Sequence, residues 1–139
     1  MSSSEDNKKA VRACFAEAAR GNFDALPSIV SPDYVLHPEG IKGADGLAQM
    51  VEGYRKAIAG LTVTIDQQFT EGDYVATRLT FSGRHEGELM GTAPTGRDVE
   101  FTGLTVSRCR DGRIEEEWEL VDVVGLLQQI GALPAMAEA

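Results

Sequence analysis

The second half of the chain alternates hydrophobic and polar residues in the way that β-strands do. Leu61, Val63 and Ile65 stand two residues apart, and Leu79 and Phe81 repeat this spacing further on. Successive side chains of a strand point to opposite faces, so a period of two is typical of strands with one buried face. We therefore predict strands over residues 61–69, 75–85, 99–110 and 113–124.

The first half of the chain carries the 3.6-residue period of amphipathic helices instead. Its clearest apolar stripe is formed by Leu47, Met50, Val51, Tyr54 and Ile58. Glycines follow the two longer stripes, as is common at helix ends. We predict helices over residues 4–20, 23–30, 44–59 and 125–130, with a short strand over residues 34–37.

This order of elements predicts an α+β fold. Helices come first, and a long antiparallel meander with a short closing helix follows. A strongly curved antiparallel sheet packed on the N-terminal helices would leave a pocket at its concave face. Because the chain has 139 residues and no internal linker, we expect one domain over residues 1–139, with mobile tails at 1–4 and 132–139.

The last predicted strand mixes carboxylates with apolar residues. One face of that strand would carry Ile114, Glu116, Trp118, Leu120 and Asp122. Most of these residues are apolar, so we expect this face to point inward. Buried carboxylates must be paired, protonated or functional, because burying an unpaired charge is costly. A carboxylate at the inner end of such a strand suits acid/base chemistry on a carbon acid.

The register of the last hairpin depends on the length of its turn. A two-residue turn would place Arg108 opposite Glu115, and a three-residue loop would place Arg108 opposite Ile114. We prefer the three-residue loop because it gathers the apolar residues on one side. Arg108 and Glu116 then become neighbours on the inner face. The other face would carry a solvated or subunit-facing row of glutamates: Glu115, Glu117 and Glu119.

Composition argues against several classes of function. The formal net charge of -9 argues against a nucleic-acid partner, since phosphate binding needs clustered Lys and Arg. No apolar run approaches the ~18 residues of a membrane span, and the N-terminus lacks the apolar core of a signal peptide. We therefore expect a cytoplasmic protein with no membrane partner. Cys14 and Cys109 fit no metal or redox spacing and are expected to be reduced, buried thiols.

Three polar residues in phase with the predicted core are candidates for chemistry. Asp122 is the candidate acid/base, although an aspartate at this position would equally cap the helix that follows. His85 is either a core histidine or a hydrogen-bond donor to a substrate carbonyl. His37 has either a pocket role or a structural role near the surface.

The last hairpin supplies three further candidates. Arg108 and Glu116 form either an ion pair that fixes the hairpin or a pair of pocket groups. Trp118 is either a core residue or a platform for a flat aromatic substrate. The nucleophile motif of serine hydrolases and glycine-rich phosphate loops are both absent from the sequence.

Several of these residues lie in stretches that resemble the SnoaL-like polyketide cyclase family of the NTF2-like superfamily. The resemblance rests on Gly83–Gly91 with Pro94–Arg97, on the hairpin Arg108–Trp118, and on Asp122–Gly131. The layout of helices before strands agrees with that family, so the resemblance covers nearly the whole chain. It implies a cone-shaped α+β barrel, usually a homodimer, with a deep apolar pocket and no metal or organic cofactor.

The resemblance also implies that Asp122 is the general acid/base of an intramolecular aldol ring closure. The substrate would be a hydrophobic, carbonyl-rich small molecule. His85 would assist as a donor, and the pocket would be lined by Trp118, Phe81, Met90 and Tyr54, with His37, Arg108 and Glu116 as further substrate contacts. Two alternatives stay open: a water-activating hydroxylase or epoxide hydrolase of the same superfamily, and a non-catalytic ligand-binding protein.

Overall fold

The computed structural model describes residues 3–134 and contains helices, a 3-10 turn and one sheet. In chain order the elements are α1 (Ser4–Arg20), the 3-10 turn (Phe23–Ser28), β1 (Val30–His37), β2 (Ile41–Lys42), α2 (Gly43–Ala57), β3 (Ile58–Glu71), β4 (Tyr74–His85), β5 (Asp98–Arg110), β6 (Arg113–Val121) and α3 (Val123–Gln129). The predicted second helix is a 3-10 turn that contains Pro27, which has no backbone N–H to donate.

The strands form one sheet with the order β2-β1-β6-β5-β4-β3. Neighbouring strands are antiparallel except for β1 and β6, which are parallel. The helices α1 and α2 pack against the concave face of this curved sheet, which we call the inner face. The predicted α+β fold, a curved antiparallel sheet packed on N-terminal helices, is confirmed.

Helix α1 shows how local sequence positions the helical layer. The Ser3 hydroxyl accepts a hydrogen bond from the Asp6 backbone N–H at 3.1 Å and so caps the first turn. Val11, Cys14 and Ala18 follow at helical spacing and are buried against the sheet. The apolar stripe found in the sequence therefore faces the core, and the start of α1 lies within a segment that we expected to be mobile.

The turn between β5 and β6 differs from both predicted registers. Arg110 pairs with Arg113, so the turn has two residues, Asp111 and Gly112, both with positive φ. Cys109 then pairs with Ile114, but Arg108 pairs with Glu116. Glu115 is therefore an extra residue on β6, and such a β-bulge shifts the alternation of every residue after it.

The bulge reverses the predicted faces of β6. Beyond it, Glu117 is buried and Glu119 lines the inner face, whereas Trp118, Leu120 and Asp122 are exposed. The prediction that the face of Asp122 points inward is wrong, and so is the prediction that Glu117 and Glu119 form a solvated row. The common cause is Glu115, which has no pairing partner on β5 and therefore moves all later side chains of β6 to the opposite face.

The convex side of the sheet, which we call the outer face, is also rich in apolar residues. Trp118 pairs with Val106 across β5 and β6, and Leu120 pairs with Leu104. These four side chains are between 39% and 72% exposed. The sequence pattern placed them on one face together, and the structure agrees. That face is the outer one.

The sequence predicted mobile tails at residues 1–4 and 132–139. Residues 1, 2 and 135–139 lie outside the described residues, so the expectation of mobile tails is not addressed there. Ala132 still donates a backbone hydrogen bond to the Leu127 carbonyl at 2.8 Å, so the first residue of the region predicted to be a tail helps to close the C-terminal end of α3. Within residues 3–134, each helix is too short or too polar to cross a membrane.

Candidate functional site

A pocket opens between the inner face of the sheet and the two N-terminal helices. Its empty space, including the open mouth, is about 670 Å³. Its walls are almost entirely apolar, and Phe81 and Phe101 stack within them at 5.1 Å between ring centroids. Its lining comprises Cys14, Phe15, Ala18, Ala19, Tyr34, Leu36, Leu47, Met50, Val51, Tyr54, Leu61, Val63, Phe81, Phe101, Glu117, Glu119 and Val121.

Glu119 is one of two carboxylates in this apolar lining. Its Oε2 atom accepts a hydrogen bond from the Thr105 hydroxyl at 2.9 Å. Burial raises the pKa of Glu119 to about 7, and the negative charges of Glu117 and Glu39 add to the rise. A carboxyl group with a pKa near neutrality can both accept and return a proton at working pH.

Glu117 is the second carboxylate, and it is held differently. It is only 4% exposed. The Tyr34 hydroxyl donates to its Oε1 atom at 2.6 Å, and the Ser107 hydroxyl donates to its Oε2 atom at 2.5 Å. Burial raises the pKa of Glu117 above its ordinary value, and the hydrogen bonds from Ser107 and Tyr34 limit this rise. Both carboxylate oxygens are therefore occupied by donors from neighbouring strands.

Tyr54 adds a hydroxyl group to the pocket from helix α2. Within the described residues its hydroxyl has no protein hydrogen-bond partner. Burial raises the pKa of Tyr54, and the charge of Glu119 contributes to the rise, so the phenol keeps its proton near neutral pH. It can therefore donate a hydrogen bond to a ligand in the pocket.

The predicted site residues divide into those that line the pocket and those that do not. Phe81 and Tyr54 belong to the lining. Met90 does not, since it lies in the loop after β4 and is 55% exposed. His85 is fully buried but also lies outside the lining.

Asp122 lies outside the pocket lining and caps a helix. Its Oδ1 atom accepts a hydrogen bond from the Gly125 backbone N–H at 2.9 Å, at the first turn of α3. The sequence left capping and catalysis as alternatives for this residue, and this geometry is that of a cap. The catalytic role of Asp122 stays a prediction that its position does not favour.

His85 holds the loop that follows β4. The Thr95 backbone N–H donates to its Nδ1 atom at 3.2 Å, so the neutral ring would carry its proton on Nε2. Nε2 is buried and has no partner among the described residues. The backbone of His85 also accepts a hydrogen bond from Gly96 and donates one to Arg97, both at 2.8 Å. These contacts are those of a structural residue.

The other predicted contacts meet on the outer face. His37 stacks on Trp118 with 5.4 Å between ring centroids. Its Nε2 atom lies 2.6 Å from the Glu116 carboxylate, which also accepts a hydrogen bond from Arg108 at 3.0 Å. The hydrogen bond to His37 has the largest effect in lowering the pKa of Glu116, and the hydrogen bond from Arg108 lowers it further. The prediction that these four residues contact a substrate in the pocket is wrong, since none of them belongs to the lining. Glu116 and Trp118 face outward because β6 changes phase at the bulge, and His37 and Arg108 contact them there.

The sequence pattern predicted that Glu117 and Glu119 lie on the surface. The reason is that both faces of β6 carry apolar residues, so hydrophobicity alone did not identify the inner face. Leu104, Val106, Trp118 and Leu120 make the outer face as apolar as a core face. A usable signal was the Asp-Gly pair at residues 111–112, which favours a two-residue turn. With that turn, a bulge is needed before the apolar residues of β6 can pair with those of β5.

Within residues 3–134 there is no cluster of three or more His, Cys, Asp or Glu side chains that could hold a metal ion. Cys14 and Cys109 are buried free thiols. Burial raises the pKa of Cys14 well above its ordinary value and that of Cys109 to about 12. The acid/base groups of the pocket are therefore its glutamates.

Comparison with known proteins agrees with the fold. Residues 8–130 match the family model of the SnoaL-like polyketide cyclases. The nogalonic acid methyl ester cyclase of Streptomyces nogalater is 30% identical over 118 residues, which cover 80% of this chain and 87% of that enzyme.

Two solved structures are also similar. IdmH from Streptomyces antibioticus, described as a proposed polyketide cyclase, superimposes with a TM-score of 0.79 at 32% identity, over 90% of this chain and 98% of that one. AclR from Streptomyces galilaeus, described as a proposed hydroxylase, superimposes with a TM-score of 0.86 at 28% identity, over 98% of this chain and 87% of that one. With the family model matching most of its length, this chain belongs to the SnoaL-like polyketide cyclase family.

Proposed function

We propose that this protein closes a ring in a carbonyl-rich polyketide by an intramolecular aldol reaction, with Glu119 as the general acid/base. The observation that carries the proposal is a carboxyl group in an apolar pocket, where burial raises its pKa to about 7. An efficient general base has a pKa near the working pH. Family membership supports the same reaction class.

The proposed reaction needs one proton acceptor and one hydrogen-bond donor. Glu119 removes a proton from a carbon flanked by carbonyl groups, and the electron pair moves onto the carbonyl oxygen to give an enolate. The Tyr54 hydroxyl donates a hydrogen bond to that oxygen, the role that the sequence suggested for His85. The enolate carbon then attacks a ketone carbon of the same molecule, and the new alkoxide takes the proton back from Glu119.

The lining favours a substrate without a free carboxylate. Its described residues include two glutamates but no Lys, Arg or His. A bound carboxylate would therefore be a buried anion without a cationic partner, which is costly. An esterified acid avoids this cost, and the relative from Streptomyces nogalater is named for a methyl ester substrate. We propose a polyketide methyl ester as the substrate class.

The first prediction concerns Glu119→Gln. The amide keeps the size of the side chain but cannot take up a proton, so we expect kcat/KM for a polyketide methyl ester to fall by about 10²–10⁴-fold. Ring closure is measured by the change in substrate absorbance and by product mass, with the free acid as a second substrate. We expect the free acid to react poorly with the wild-type protein.

Two further variants sharpen this test. Glu115→Gln makes the same chemical change on the bulge of β6, outside the pocket lining, and should leave turnover unchanged. Asp122→Asn keeps a favourable capping residue and tests the hypothesis drawn from the sequence. Retained turnover in Glu119→Gln, or its loss in Asp122→Asn alone, would refute the assignment to Glu119.

A further inference from the structure

The two pocket carboxylates differ in their surroundings, although they are neighbours on one face of β6. Glu117 and Glu119 are two residues apart, which places their Cα atoms roughly 7 Å apart. Glu117 has donors on both oxygens, from Tyr34 on β1 and Ser107 on β5. Glu119 accepts a hydrogen bond from Thr105 on one oxygen, and its other oxygen has no protein partner among the described residues.

The short hydrogen bonds to Glu117 favour its ionised form. Donor–acceptor distances of 2.6 and 2.5 Å fall in the range of O–H···O⁻ bonds to a carboxylate. Two like charges on neighbouring groups are unfavourable, so the carboxylate that ionises first makes the other carboxyl hold its proton more tightly. When the surroundings of two carboxyls differ, the better-solvated or better hydrogen-bonded one becomes the anion.

We propose that Glu117 is a positioning residue: a buried carboxylate, held by Tyr34 and Ser107, whose negative charge makes Glu119 a stronger base toward the substrate. This inference rests on the proposed role of Glu119 as the acid/base. It explains why the pocket contains a carboxylate with no oxygen free to touch a substrate. Glu117 acts through Glu119 and does not itself exchange protons with the substrate.

Other ionisable groups also face this pair. Glu39, in the turn after β1, adds its negative charge to that of Glu117 at Glu119. Tyr54 on α2, Cys14 on α1 and Tyr34 on β1 all feel the charge of Glu119 and keep their protons near neutral pH. Of the two anions that act on Glu119, Glu117 is the one whose position is fixed by burial and by hydrogen bonds to both oxygens.

The test measures the proton affinity of Glu119 without a substrate. The protein is labelled with ¹³C at glutamate side-chain carboxyls, and the Glu119 signal, assigned by its absence in Glu119→Gln, is followed by NMR over pH 4–9. In Glu117→Gln the like charge is gone, and we expect the titration midpoint of Glu119 to fall by about one pH unit or more. The acid limb of the kcat/KM profile should move with it.

A matched control and a second variant complete the design. Glu115→Gln removes a carboxylate from the same strand outside the pocket lining, and should leave the Glu119 midpoint in place. Ser107→Ala removes one donor, so Glu117 holds its own proton to higher pH and the Glu119 midpoint falls as well. This variant decides the question if Glu117→Gln does not fold, as judged by circular dichroism.

The outcomes separate this inference from the proposed function. An unchanged Glu119 midpoint in folded Glu117→Gln and Ser107→Ala proteins would overturn the positioning role and leave Glu117 as a structural tie between strands. A midpoint that falls as expected supports the role. If it falls while Glu119→Gln still turns over substrate, the positioning effect holds and the proposed function fails.

Discussion

At the scale of the residue, Glu119 makes the stability of the fold depend on pH. The folded protein holds this proton with a pKa of about 7, against an ordinary value of 4.5. Between these values the folded state binds more protons than the unfolded chain, so its stability falls as the pH rises through that window. We expect the protein to be about 1–3 kcal/mol less stable at pH 8 than at pH 4.5 because of this group.

Urea denaturation of the wild type and of Glu119→Gln at several pH values measures this effect. The free energy of unfolding of the wild type should fall relative to that of Glu119→Gln as the pH rises from 4.5 to 7, and the difference between the two proteins should then level off. A difference that stays constant over this range would mean that Glu119 ionises as it does in the unfolded chain.

At the scale of the element, Asp122 is expected to stabilise α3 as its N-cap. Asp122→Ala removes the acceptor of the Gly125 hydrogen bond, and we expect a loss of about 1 kcal/mol in the free energy of unfolding. Asp122→Asn keeps an acceptor and should cost only a few tenths of that. Chemical denaturation at neutral pH compares the two variants, and equal losses would argue against capping.

The longer helices and strands were predictable from the sequence because their patterns are local, whereas the two-residue strand β2 was missed and the second predicted helix is a 3-10 turn. The apolar stripe of α1 and the alternation of β3 and β4 each require only a few neighbouring residues. The faces of β6 were not predictable in this way, because they depend on Glu115 being left unpaired against β5. A shift of one residue in the pairing of β6 with β5 determines whether Asp122 or Glu119 faces the pocket. Because apolar residues lie on both faces of β6, the hydrophobic pattern did not reveal this shift.

At the scale of the whole molecule, the outer face has no cover within the described chain. Helices α1 and α2 pack on the inner face, while Leu104, Val106, Trp118 and Leu120 are exposed. Monomeric proteins rarely expose apolar patches of this kind. Arg108, next to this patch, is paired with Glu115 and Glu116. We propose that two copies of the chain pack through their outer faces as a homodimer.

Size-exclusion chromatography with light scattering tests this proposal. We expect a dimer for the wild type and a monomer for the double variant Leu104→Lys/Leu120→Lys, because charges in a closed apolar interface are costly. Val124→Lys places the same charge at an exposed position on α3, outside the sheet, and should remain dimeric. A monomeric wild type, or a dimeric double variant, would contradict the proposal.

The reversed phase of β6 also provides a natural optical probe. Trp118 is the single tryptophan of the chain, and it lies between the two pocket carboxylates in sequence but on the opposite side of the sheet. Its indole stacks on His37 and lies 6.5 Å from the ring of Tyr74, where it remains 39% exposed. Intrinsic fluorescence will therefore report on contacts at the outer face, so self-association can be followed in unlabelled protein by the shift of its emission maximum.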